Sequence, residues 1–154
     1  MKFKAQAPLL ALSVTAICLN PTSGSAAGDG RCRDIGGGVL TNFLDQTHAQ
    51  GPLTGDLRGA VAVEVLGVNG TVYHISKQLV TDTGDTVNFS NTDLTTYATG
   101  VSGLVAAEET INIIGGTGRF DGATGTLSFF GAINGSEVIL RYDGTVCFRP
   151  SSAG

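Results

Sequence analysis

No run of basic residues, no closely spaced pair of histidines and no Gly-x-Ser-x-Gly turn occurs anywhere in the 154-residue chain. Each absence removes a class of function. With 9 lysines and arginines against 13 aspartates and glutamates, the chain repels a phosphate backbone, and nucleic acid is not an expected partner. Its two histidines, His48 and His74, stand far apart, and Asp82-Thr83-Gly84-Asp85 falls short of the ligand count of a calcium loop, so no metal is expected. Serine hydrolase chemistry has no marker without the nucleophile elbow. The glycine-rich stretch at 115–125 has no Gly-Lys-Ser or Gly-Lys-Thr ending and leads into β-like sequence rather than a helix, which argues against nucleotide binding. No cofactor is implied.

The first 27 residues read as a secretory signal. Lys2 and Lys4 open it, an apolar run from Leu9 to Leu19 follows, and Ser25-Ala26-Ala27 offers a small-residue cleavage site. That run is shorter than the roughly 20 residues a membrane helix needs, so no membrane insertion is expected once the signal is gone. Removing Lys2 and Lys4 leaves 7 basic against 13 acidic residues, a net charge of −6. A secreted or periplasmic location follows. In that oxidising setting the two cysteines after the signal, Cys32 and Cys147, should pair, fastening an N-terminal lead-in (28–37) to the last strand.

From Gly38 onward apolar and polar residues alternate as in strands, and no stretch carries a sustained helical stripe. Gly38 to Leu44 reads as a short first strand and Asp45 to Pro52 as a polar loop. Leu57, Val61, Val63 and Val65 share one face of the next strand, opposite Arg58, Ala60, Ala62 and Glu64. Asn69-Gly70 predicts a tight hairpin into a strand from Thr71 to Val80, whose two faces are Val72, His74, Ser76, Gln78 and Tyr73, Ile75, Lys77, Leu79. Short strands are expected at Thr86–Phe89 and Leu94–Ala98. Val101 to Ile114 forms either two strands or one long one. Gly125–Ile133 and Ser136–Phe148 are joined by a second hairpin pair, Asn134-Gly135. The domain thus spans 38–148, with 149–154 as a tail. Alternation alone leaves a closed barrel and a two-sheet sandwich both open.

Gly115, Gly116, Gly118, Gly122 and Gly125 crowd one eleven-residue stretch, and Gly55-Asp56-Leu57-Arg58-Gly59-Ala60 repeats the pattern of Gly118-Arg119-Phe120-Asp121-Gly122-Ala123. Such glycines suit corners where a sheet bends sharply into its next strand. Phe120 would plug a barrel end or corner there, with Arg119 and Asp121 outward. Together with Tyr142-Asp143-Gly144-Thr145-Val146, this run resembles the signature of the dirigent and allene oxide cyclase barrel families, in particular the secreted bacterial type. The resemblance implies an all-β, single antiparallel eight-stranded barrel of calycin-like type around an apolar cavity, in a homodimer or homotrimer. It also implies a small apolar or aromatic ligand and cofactor-independent cyclase, isomerase or dirigent-like coupling chemistry.

The ionisable and phenolic groups on the strands are Glu64, Tyr73, His74, Glu108, Glu109, Arg141, Tyr142 and Asp143. Glu64, Tyr73, Arg141 and Tyr142 are the catalytic candidates, and His74, Glu108 and Asp143 the ligand-binding ones. A ligand pocket should be on the order of 300 Å³ or more and be lined by several of Glu64, Tyr73, His74, Arg141 and Tyr142. An interior filled by Val, Leu, Ile and Phe would instead mark a secreted structural or interaction module without catalysis.

Overall fold

The computed structural model describes residues 32–149. The signal segment, the start of the lead-in and most of the tail lie outside them. Nine strands form the domain: β1 (Cys32–Phe43), β2 (His48–Gly55), β3 (Gly59–Asn69), β4 (Val72–Thr81), β5 (Thr86–Phe89), β6 (Thr92–Ala98), β7 (Leu104–Gly116), β8 (Thr124–Asn134) and β9 (Glu137–Cys147).

All pairings are antiparallel and the sheet closes on itself. Each strand pairs with its successor except β5 with β6, and β9 returns to β1 along eleven register positions from Cys32↔Cys147 to Asn42↔Glu137. β5 and β6 share a single place in the ring. β5 pairs with the end of β4 and the end of β7, while β6 pairs with the start of both. They are one strand interrupted at Ser90-Asn91, where Ser90 N–H donates to Asn112 O at 2.9 Å. Eight positions around a closed ring make the barrel the sequence suggested, and closure leaves no free edge among the described strands.

Two expectations need correction, and one open alternative is decided. β1 begins at Cys32, so the described part of the lead-in is strand. The supposed loop from Asp45 to Pro52 is mostly β2. Its Gly51-Pro52 pair disguises it, because proline cannot donate to a ladder. β1 and β2 accordingly pair at Val39↔Leu53 and Asn42↔Gln50 but at neither position between. Val101 to Ile114 resolves into one strand, β7, starting at Leu104.

One end of the barrel is sealed. Both related glycine corners lie at that end, and each buries its central apolar residue, Leu57 at 1% exposure and Phe120 at 0%. Phe120 closes a single 3-10 turn, Gly118–Phe120. Gly118 enters it at φ +56°, and Gly116 lets β5 pass so closely that a Cβ would sit 2.0 Å from Thr86 O. Arg119 and Asp121 face outward, near Asp85 (3.9 Å) and Arg149 (3.6 Å). The Phe120 and Phe148 rings pack at 5.7 Å, and the Cys32–Cys147 disulfide ties β1 to β9 at the same end.

Candidate functional site

The other end carries the Asn69-Gly70 and Asn134-Gly135 turns and the loops 44–47 and 99–103, and no aromatic plug closes it. Inward side chains there, Phe43, Val63, Val65, Tyr73 and Ile133, are only partly buried although they pack on the core. Between them and the sealed half lies a cavity of about 150 Å³. Its wall is aliphatic, with Val39, Leu53, Val61, Ile75 and Leu140 among its residues, and Phe129 adds an aromatic face. Three polar side chains reach it: Thr41, Tyr73 and Lys77.

Lys77 is the unexpected one. It lies on the inward face of β4, between Ile75 and Leu79, and is 8% exposed. Its Nζ donates to Glu109 Oε1 on the inner face of β7, two places along the sheet, and lies 4.3 Å from the Phe129 ring centroid. Glu109 follows the same logic on β7, sharing the inward face with Ala107 and Ile111. Its second oxygen, Oε2, is buried without a hydrogen-bond partner. Burial pushes the Lys77 ammonium down from 10.5 to about 7, and the adjoining carboxylate pulls the other way. Sequence reasoning counts Glu109 among the strand-borne ionisable groups and passes over Lys77. The signal was its place on the face of Tyr73, Ile75 and Leu79.

The sequence-predicted residues separate by strand face. Tyr73 points inward and lines the cavity. Tyr142 also points inward, 2% exposed, but sits nearer the sealed end and outside the cavity wall. Its hydroxyl accepts from Leu57 N–H at 2.8 Å and donates to Thr54 O at 3.1 Å, holding the Gly55–Gly59 corner. Gly37 makes room for it, since a Cβ there would lie 2.6 Å from the phenol oxygen. Burial, foremost, raises the Tyr142 pKa above 10.

Glu64, His74, Glu108, Arg141 and Asp143 are exposed on the outer face and do not reach the cavity. His74 Nδ1 is 2.9 Å from Asp93 Oδ1, Glu108 accepts from the Tyr97 hydroxyl, and the Arg141 guanidinium lies 4.5 Å from the Phe130 ring centroid. Arg141 and Asp143 flank Tyr142 on β9, and alternation sends them away from it.

No family model and no curated protein matches this chain. Among solved structures, it is similar to the pterocarpan synthase dirigent protein GePTS1, at 11% identity and a TM-score of 0.35, over 80% of this chain and 88% of that one. At that score the likeness transfers neither residue roles nor activity. The barrel rests on its own strand pairing.

Chemically, the interior offers an apolar chamber with a hydroxyl, a phenol and a buried amine on its wall, and a carboxylate against the amine. Among the described residues no three or more His, Cys, Asp or Glu side chains gather as a metal site. No described helix is long and apolar enough to cross a membrane, which says nothing of strands.

Proposed function

We propose that the protein is a secreted barrel that takes a small apolar molecule, about the size of one aromatic ring, into its interior through the hairpin end. The cavity carries this reading. A chamber of about 150 Å³ with aliphatic walls is of the size known to hold benzene, and Thr41, Tyr73 and Lys77 are the few placed polar groups that give an apolar site its selectivity. The chamber is about half the volume expected of a ligand pocket and, of the residues expected to line it, holds Tyr73 alone, so the reading narrows to a single ring. The disulfide and the N-terminal signal pattern support an extracellular or periplasmic setting.

Cyclisation or phenolic coupling, which the family resemblance implies, would draw on Tyr73, since the other proposed groups stand outside the chamber. Outward-facing Leu40 and Ile139 are register partners and both exposed, which supports self-association through this side of the barrel. Toluene titration followed by calorimetry and thermal melting tests the binding reading. Toluene should bind and raise the melting temperature, and Val63→Phe, which fills the half-buried mouth, should weaken binding at least about tenfold. A wild-type protein that takes up no toluene would return the barrel to a structural or interaction module.

A further inference from the structure

Beyond Lys4 the sequence contains a single lysine, Lys77. Every arginine among the described residues, Arg33, Arg58, Arg119, Arg141 and Arg149, is exposed. The one lysine of the fold is therefore, among the described residues, the one cation placed inside. A purely structural role does not call for it, because a buried ion pair can be replaced by apolar side chains of similar volume with little loss of stability and often a gain. Its placement fits a chemical role better. The amine sits on the wall of a chamber that is open at one end, an acid-base partner touches it, and the Phe129 ring flanks it.

We infer that Lys77 captures a small apolar aldehyde in the barrel cavity as a reversible imine, with Glu109 moving the proton. The inference rests on the ligand-binding reading above and names the ligand's reactive group. The Lys77 ammonium first gives a proton to Glu109. The free amine then adds to the carbonyl carbon, forming the C–N bond as the π pair passes to oxygen, and a proton moves from nitrogen to that oxygen. Glu109 returns its proton to the resulting hydroxyl, the C–O bond breaks, and water leaves. The product is a protonated imine beside the Glu109 carboxylate, so ammonium plus aldehyde become iminium plus water with no redox change.

Three features favour the step. The product keeps the charge of the ammonium it replaces, so the ion pair with Glu109 survives capture. The oxygen of Glu109 that has no hydrogen-bond partner, Oε2, is free to carry the proton. Desolvation, which lowers the amine's basicity to about 7, leaves a substantial unprotonated fraction at neutral pH, the usual way an apolar pocket activates a lysine for carbonyl attack.

The test treats the disulfide-bonded protein with benzaldehyde and sodium cyanoborohydride at neutral pH, with toluene as the carbonyl-free competitor. Intact mass and peptide mapping should show one benzyl group per chain, on Lys77. It should form at least about tenfold faster than on the lysine of an unstructured peptide, and toluene should slow it. Glu109→Gln should slow capture, and the Lys77→Met/Glu109→Leu double variant, checked for folding by circular dichroism, should give no interior adduct. Toluene binding without a Lys77 adduct overturns the aldehyde inference and leaves the binding reading standing. Failure of both toluene binding and the adduct removes both. Modification confined to the N-terminal amine, or a Lys77 adduct that toluene does not slow, also overturns the inference.

Discussion

Replacing Tyr142 by phenylalanine removes a single oxygen and separates two roles for this residue. In the structure that oxygen takes the Leu57 N–H at 2.8 Å and gives its own hydrogen to Thr54 O at 3.1 Å, beside a leucine that is 1% exposed. The ring contacts survive, including packing on Phe129 at 5.6 Å between centroids. What is lost is a hydrogen bond to a backbone donor that water cannot readily replace, a loss of about 1–3 kcal/mol. With a urea m-value of about 2 kcal/mol/M, the unfolding midpoint should fall by roughly 0.5–1.5 M. Toluene binding should not change, because Tyr142 lies outside the cavity wall. The pH dependence should change as well. Folding raises the tyrosine pKa above 10, so its contribution is complete below pH 10 and is lost as pH climbs from there through the folded value. Tyr142→Phe should lack that alkaline loss. An unshifted urea midpoint together with abolished ligand binding would refute the reasoning and make Tyr142 a ligand group, as the sequence alone suggests.

The remaining predictions concern the ends of the chain and the buried pair. Cys32→Ser/Cys147→Ser, which opens a link across a sequence separation of 115, should cost roughly 3–5 kcal/mol; urea unfolding of wild type with and without reductant should reproduce that difference. For Lys77, whose folded pKa is about 7 against 10.5 unfolded, the unfolded chain holds more protons between those values. Stability should therefore rise with pH from about 7 until tyrosine ionisation intervenes near 10. The rise should be absent in the Lys77→Met/Glu109→Leu variant. A flat or falling wild-type profile in urea melts across that range would show that Glu109 keeps the lysine charged.

Strand faces could be read directly from the chain. Val61, Val63 and Val65 against Ala62 and Glu64, and Val138, Leu140 and Tyr142 against Arg141 and Asp143, alternate in the structure as they do in the sequence. The same alternation argues against gathering Arg141, Tyr142 and Asp143 into one site, since neighbours in a strand face opposite ways. β2 was hidden for a local reason, the Gly51-Pro52 pair, which in an open sheet would mark a loop or an edge. The plugged corner was legible because its signal is local too: glycines on both sides of one aromatic residue.

The interior ion pair has no local signal. Lys77 and Glu109 lie on β4 and β7, 32 residues apart, and meet on the inner face only because strand pairing sets β4 and β7 on either side of the place that β5 and β6 share. The Tyr142 tie to Leu57, 85 residues away, has the same origin. Periodicity and turn chemistry act over a few residues, and they determined from the sequence by itself that this chain makes antiparallel strands with glycine corners. Which inward side chains face one another, how much space they leave and which end stays open depend on ring closure and stagger, quantities that belong to all eight positions of the barrel together. Those were decided by the tertiary structure alone.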